Sequence, residues 1–194
     1  MFVKICGLSS VDAVEAASSA GADAIGFVFS NSIRQITPNQ ALELCQNVPR
    51  KIVRVAVMLH PTKDEWAEVR DVFVPDWLQT DAADFEVLSV PDGCAPLPVY
   101  RTNQSPPETW PHRLLFEGSA SGSGEPADWA EAKTIANSTH LILAGGLTVS
   151  NVADAITRVR PWGVDVSSGV EHQPGHKDPK KIREFIARAR ETPR

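Results

Sequence analysis

A chain of 194 residues with 42% hydrophobic and 22% charged side chains has the length for one domain with a substantial core and the make-up of an ordinary globular protein. A formal net charge of −5 excludes a general nucleic-acid binder, which needs a basic face to neutralise phosphates, and no apolar run approaches membrane length. Three widely spaced cysteines (Cys6, Cys45, Cys94) give no disulfide framework and no zinc spacing, and a strand expected within a residue or two of the start leaves no room for a signal peptide, so a cytoplasmic protein is expected.

Phe2–Cys6 (FVKIC) reads as a short strand ended by Gly7. Residues 12–20 carry apolar side chains at helical spacing and stop at Gly21. Residues 24–29 (AIGFVF) form the next strand, followed by a polar loop over 30–36 that carries Arg34. Thr37-Pro38 opens a helix through Val48, with threonine as N-cap and proline at the first helical position. Residues 53–59 read as a strand, and Thr62 caps a helix over Lys63–Phe73. A strand over 77–80 and a weaker helix over 82–89 follow.

Residues 97–101 are strand-like, but three prolines within 103–111 shorten or remove the helix expected next. Arg113–Glu117 (RLLFE) is a strand leading into a loop over 118–126 built largely of Gly and Ser. Residues 128–137 are helical, 141–144 form a strand that runs into Gly145-Gly146, and 148–159 form a helix with Thr148 or Ser150 near its cap. The β-branched run of Val164 and Val166 is the last strand, and it breaks into Ser167-Ser168-Gly169. Pro174-Gly175 marks a turn, and Asp178-Pro179 starts a helix through Thr192.

About eight strand units thus alternate with seven or eight helical units at a spacing near 24 residues. Strands that alternate with helices run parallel and need right-handed crossovers. A doubly wound sheet meets that requirement, but eight units close naturally into a compact (β/α)8 TIM barrel, the favoured α/β architecture, as one domain over residues 1–194.

In either architecture function collects at the carboxyl ends of the strands. Those ends carry Cys6, Arg34 in the second loop, His60, Gln79, Asp81, Tyr100, Arg101, Glu117, Gly145-Gly146 and Ser167-Ser168. A lone Gly-Gly pair is a common turn. Beside the Ser-Ser-Gly of the next strand it points to a phosphate site, because backbone amides can close on an anion there. Free cysteine is usually a small buried hydrophobe, as expected of Cys45. Cys6 differs: Lys4 lies two residues away on the same side of the pleat, and an ammonium favours the thiolate, the form that acts as a base. Glu117, ending an apolar strand, is a candidate acid–base group or a loop hydrogen-bond acceptor. Arg34 is a surface ion-pair residue or an anchor for an anionic substrate group. His172 and His176 flank Pro174-Gly175 and are not expected to bind metal, and Lys177, Lys180 and Lys181 read as a solvated face.

Together these residues resemble the phosphoribosylanthranilate isomerases of tryptophan biosynthesis over essentially the whole chain. The resemblance rests on Lys4-Ile5-Cys6-Gly7, on residues 21–29 (GADAIGFVF), on Ser32-Ile33-Arg34 and on Asp128-Trp129. Residues 143–147 (LAGGL), residues 163–171 (GVDVSSGVE), Pro174-Gly175 and Lys177-Asp178 complete it. It implies the (β/α)8 barrel and an Amadori rearrangement of a small phosphoribosyl substrate, with no metal or organic cofactor and in a monomer or weak homodimer. Cys6 is then the general base and Glu117 the general acid. Arg34 lies near the anthranilate, and Gly145, Gly146, Ser167, Ser168 and Gly169 hold the ribose phosphate, with Gln79 in the same substrate-binding set.

Four positions depart from the family pattern. Glu117 replaces an aspartate, and Gln79-Thr80-Asp81-Ala82 replaces a Gln-Leu-His-Gly motif. His60 stands for an asparagine, and Ser121 for the first glycine of the family's GG-T/S-G loop; counting back from Ser123-Gly124 through Asp128-Trp129 places Glu117 at the aspartate's position. Two alternatives stay open: an isomerase that also takes a histidine-pathway substrate, and a phosphate-binding barrel that has lost catalysis.

Overall fold

The computed structural model describes residues 1–119 and 127–193. Ser121, Ser123 and Gly124, with the rest of the loop segment 120–126, lie outside the described residues. Eight parallel strands pair in sequence order: β1 (Phe2–Cys6), β2 (Ala24–Val28), β3 (Val53–Val57), β4 (Trp77–Asp81), β5 (Ala95–Arg101), β6 (Arg113–Glu117), β7 (His140–Leu143) and β8 (Gly163–Val166). β8 returns to β1 with Phe2 opposite Gly163 and Lys4 opposite Asp165, so the sheet closes and the open doubly wound alternative falls away.

The helices are α1 (Val11–Ser19), α2 (Pro38–Leu44), α3 (Lys63–Phe73), α4 (Trp129–Ala136), α5 (Val152–Val159) and α6 (Pro179–Glu191). That is fewer α-helices, among the described residues, than the spacing suggests. The β4–β5 connection holds only a 3-10 turn over Ala82–Glu86, and no helix separates β5 from β6, where Pro106, Pro107 and Pro111 stand. Where a cap is written into the sequence, the boundary follows it. Thr62 and Glu65 form a reciprocal capping box at the start of α3, and Thr37 and Gln40 do the same for α2. Two helix ends lie four residues from the sequence reading. α2 stops at Leu44 and not Val48, and α5 starts at Val152 because Asn151 turns back, its Oδ1 accepting from the Thr148 amide at 2.7 Å.

Strand alternation divides the core. Val3, Ile5, Ile25, Phe27, Leu114, Phe116, Leu141 and Leu143 face the helices, each fully or almost fully buried. Ala24, Val55, Leu97, Val99, Leu115, Ile142 and Ala144 fill the barrel interior. Each large aliphatic side chain so buried contributes roughly 1.5–3 kcal/mol. At the amino end of the barrel Phe2 stacks on Trp162 (centroids 4.4 Å apart) and the Arg113 guanidinium lies 4.1 Å from the Trp77 ring centre. This aromatic floor closes the barrel from below and leaves the carboxyl ends of the strands as the open mouth.

Beyond β8 the chain makes an antiparallel hairpin of two very short strands, β9 (Glu171–Gln173) and β10 (His176–Lys177), across the Pro174-Gly175 turn.

Candidate active site

β1 delivers Cys6 to the mouth at its last position, where it is 6% exposed. Gly7 then lets two neighbours come close: a Cβ there would lie 2.7 Å from Arg34 Cδ and 3.0 Å from Ser167 Oγ. Across the strand pair, a Cβ on Gly26 would sit 3.2 Å from Cys6 Sγ and 3.3 Å from Lys4 Cε, so small residues make the room these two side chains occupy.

Lys4 is fully buried, and its Nζ donates to Asp165 Oδ1 at 2.8 Å. Burial alone would lower the pKa of Lys4. The charges of Asp165 and Cys6 outweigh it, and the net shift is upward, which keeps the ammonium. The effect on Cys6 runs against the sequence expectation. Burial raises its thiol pKa most, Lys4 pulls it down, Asp165 pushes it up again, and the outcome is a raised value. The ammonium is present but already matched by a carboxylate.

A second cluster stands beside Cys6. Arg34 Nε and Nη2 donate to the two carboxylate oxygens of Glu171 at 2.7 and 2.9 Å, a bidentate fork. Lys177 Nζ donates to Glu171 Oε1 at 2.6 Å and to Ser167 O and Oγ at 3.0 and 3.1 Å. The Gly175 amide donates to Glu171 Oε2 at 3.1 Å. Burial would raise the pKa of Glu171, but the bonds from Arg34 and Lys177 bring it down to about 2. Lys177 is therefore not part of a solvated face: it is 7% exposed, and the hairpin folds it inward over β8. Lys180 is exposed, as read from the sequence, whereas Lys181 is half-buried and donates to the Glu171 carbonyl at 2.7 Å. Glu171, Lys177 and Asp165 are site residues that reasoning from single positions missed. The available signal was their place within or just after the run ending in Ser167-Ser168-Gly169.

The phosphate-loop candidates come together. Gly145 and Gly146 have φ of 83° and 62°, and Asn151 Nδ2 donates to the Gly146 carbonyl at 2.9 Å. Gly169 packs so closely that any Cβ would overlap the Leu147 carbonyl, with Thr148 Cα only 3.0 Å away. The loop after β7 and the loop after β8 thus touch backbone to backbone. Gly145, Gly146, Ser167 and Gly169 are half-buried and Ser168 is exposed, so the paired loops face solvent where a ligand can reach them.

Glu117 ends β6, its side chain 13% exposed, and its Oε1 lies 3.1 Å from Arg101 Nε. Arg101 Nη1 and Nη2 donate to Asp81 Oδ2 and Oδ1 at 2.7 and 2.6 Å. His60 adds a further contact, its Nε2 3.5 Å from Asp81 Oδ2 and its Nδ1 3.0 Å from Asp84 Oδ1, while the Thr80 hydroxyl donates to Asp84. Gln79 is 7% exposed on β4, and its buried Oε1 has no hydrogen-bond partner among the described residues. A buried carbonyl of that kind is expected to meet a donor in use. β1 and β6 are three strands apart one way round the eight-stranded ring and five the other, which puts Cys6 and Glu117 on facing sides of one mouth. Among the described residues no three His, Cys, Asp or Glu side chains could share a metal ion, and the His172 and His176 rings stand 5.9 Å apart.

Two acid–base candidates on facing strands, with glycine-rich loops between them, suit a proton-transfer reaction on an anionic ligand. The family model described as N-(5'-phosphoribosyl)anthranilate (PRA) isomerase matches residues 99–188. An N-(5'-phosphoribosyl)anthranilate isomerase of Streptococcus pneumoniae (strain ATCC BAA-255 / R6) is 41% identical over 190 residues, covering 97% of this chain and 95% of the relative. Among solved structures, TrpF from Jonesia denitrificans superposes with a TM-score of 0.82 at 35% identity, covering 98% of this chain and 97% of that one. A phosphoribosyl anthranilate isomerase in complex with reduced 1-(o-carboxyphenylamino)-1-deoxyribulose 5-phosphate gives 0.75 at 26% identity, covering 98% of each chain.

Proposed function

This chain belongs to the N-(5'-phosphoribosyl)anthranilate isomerase family, and from that premise we propose that Cys6 and Glu117 divide the acid–base work of its reaction. The reaction is the rearrangement of N-(5-phosphoribosyl)anthranilate to 1-(2-carboxyphenylamino)-1-deoxyribulose 5-phosphate, an aldose–ketose type of isomerisation in tryptophan biosynthesis. Glu117, in its acid form, gives a proton to the furanose ring oxygen. The C1–O bond breaks, and the anilino nitrogen supplies the electron pair for the Schiff base. Cys6, as thiolate, takes the proton from C2. The resulting enolamine takes the proton held by Cys6 at C1, while its C2 hydroxyl gives up a proton and becomes the ketone. That proton restores the acid form of Glu117. The carbon-bound hydrogen has then moved from C2 to C1, the hydroxyl hydrogen has in effect moved to the former ring oxygen, and nothing is consumed.

The observation that carries this reading is the position of Cys6 and Glu117 on facing strands of one mouth, flanked by the paired loops at Gly145-Gly146 and Ser167-Ser168-Gly169. Those loops hold the ribose phosphate and fix where C1 and C2 lie. With Arg34 Nε and Nη2 committed to Glu171, the Nη1 edge of the guanidinium remains to meet the anthranilate carboxylate. Gln79 offers its unmatched Oε1 to a substrate hydroxyl. We read residues 1–194 as one barrel domain, because the eight strands close into a single ring, and, from its family, as a cytoplasmic monomer or weak homodimer. Sedimentation across a range of protein concentrations checks the assembly.

Loss of phosphoribosylanthranilate fluorescence in the presence of purified protein tests the assignment. Cys6→Ala and Glu117→Ala are each expected to lower kcat on the order of 100- to 10,000-fold, the range usual for a general acid or base. Variants as fast as the wild type would remove these two residues from the chemistry.

A further inference from the structure

The mouth holds one arginine whose contacts go to neither the phosphate loops nor the Arg34 cluster. Arg101 and Glu117 are directly opposite one another at the ends of β5 and β6, and both side chains turn inward with about a tenth of their surface exposed. The Arg101 fork is fully engaged on Asp81 through Nη1 and Nη2, which leaves Nε facing the Glu117 carboxyl at 3.1 Å. Backbone contacts hold the same corner: the Arg101 amide donates to Gln104 Oε1 at 3.0 Å, and the Thr102 amide to the Glu117 carbonyl at 3.1 Å.

From this geometry, and resting on the reading of Glu117 as the acid, we propose that Arg101 is a positioning residue: clamped by Asp81, it holds the Glu117 carboxyl in place at the mouth, and its charge balance with Asp81 sets how readily that carboxyl carries a proton. A glutamate has three side-chain torsions, and a carboxyl left to choose among them spends much of its time out of line with the ring oxygen. Misplacement of about 1 Å costs on the order of 100-fold. An arginine alone beside Glu117 would favour the carboxylate and so work against an acid. Asp81, bound to the same guanidinium, offsets that charge without giving up the anchor.

Other groups around the mouth also bear on Glu117. His60, after β3, faces both Asp81 and Asp84, the latter in the turn after β4. Lys4 and Cys6 on β1 and Asp165 on β8 lie across the barrel and pair among themselves, and Arg34, Lys177 and Glu171 form a closed cluster beyond them. On the near side, among the described residues, the end of β7 brings the uncharged Leu143, followed by Ala144, and Glu131 on α4 accepts from the Asn103 amide. Among the described residues, Arg101 and Asp81 are thus the charged pair beside the acid on its strand-five side.

The test is a carboxyl carbon-13 NMR titration of Glu117, identified by its loss in Glu117→Gln and followed in the wild type, Asp81→Asn and Arg101→Gln, with kcat and KM measured in parallel. Asp81→Asn is expected to lower the Glu117 titration midpoint and Arg101→Gln to raise it, each by about one pH unit. Arg101→Gln should also lose about tenfold or more in kcat with KM within about threefold, since only the acid is displaced. Arg101→Lys should keep the midpoint near that of the wild type and leave kcat depressed, because an ammonium is a point charge that cannot span both carboxyl groups. Midpoints that stay put or move in the same direction in both variants overturn the proposal, as does wild-type kcat in Arg101→Gln. A wild type that turns over with unmoved midpoints overturns the pair and leaves the isomerase reading intact. Midpoints that split in a protein without turnover support the pair and remove the acid role from Glu117.

Discussion

A base that removes a carbon-bound proton works as a thiolate, yet the surroundings of Cys6 hold it as a thiol. Burial is the largest influence on it, and the Lys4 ammonium that should offset burial is matched by Asp165. The difference in ultraviolet thiolate absorbance between the wild type and Cys6→Ala should therefore be absent at neutral pH and appear only above the ordinary thiol value of 9.0. A thiolate signal already present at pH 7 would contradict this environment for Cys6. The same sign carries into stability. A thiol whose folded pKa lies above its unfolded value binds its proton more tightly when folded, so its contribution is complete below the unfolded value and disappears as pH rises through the folded one. Cys45 and Cys94, pushed up to about 11 chiefly by burial, act in the same direction as Cys6. The urea midpoint should fall between pH 9 and pH 11, and Cys45→Ala should flatten that fall. A midpoint that rises over this interval would sink the argument.

The elements that are easiest to read from the sequence are those that carry their own stop and start signals. Thr62 with Glu65 marks the first turn of α3, Asp178 with Pro179 marks α6, and both helices begin where those residues say. The β9–β10 hairpin has no such legibility. Strands of three and two residues show no alternation, and only the Pro174-Gly175 turn between them is visible. That is why Lys177, one of three lysines within five residues, reads as a solvent-facing charge when it is in fact folded against Ser167 and Glu171. The hairpin serves as a clamp: Glu171 binds Arg34, Lys177 and the Gly175 amide at once. Glu171→Gln leaves the buried Lys177 and the half-buried Arg34 without their anion and is expected to cost on the order of 3 kcal/mol of stability, while raising KM by loosening Arg34. The folded Glu171 pKa of about 2 lies below the ordinary 4.5, so its contribution is present above about pH 4.5 and is lost as pH falls towards 2. Denaturant melts of the wild type and Glu171→Gln should differ at pH 7 and converge in acid. Equal stability at pH 7 would show that the clamp is not a structural element.

At the scale of the whole barrel, alternation of strands and helices carries the architecture, whereas the site depends on which strands face one another after closure. Eight repeating units make closure legible in the sequence, and strand ends name most of the mouth: Cys6, Arg34, Gln79, Glu117 and the two glycine-rich loops. The pairing of Lys4 with Asp165, 161 residues away, is not written in any local spacing. It exists only because β1 lies beside β8, and it places a full ion pair inside the barrel at the seam where the sheet closes. Burial of two charges is costly, and a matched pair returns that cost only while both partners remain. Lys4→Met, which strands the Asp165 carboxylate, is expected to destabilise the protein by about 3–5 kcal/mol. In a chain of this length that lowers Tm on the order of 10 °C. Lys4→Met combined with Asp165→Val replaces the pair by apolar side chains and should recover most of the loss. Urea midpoints for the wild type, the single variant and the double variant measure this directly. If the double variant is no more stable than Lys4→Met alone, the seam needs the ion pair itself; if Lys4→Met costs under about 1 kcal/mol, the pair contributes little to closing the barrel.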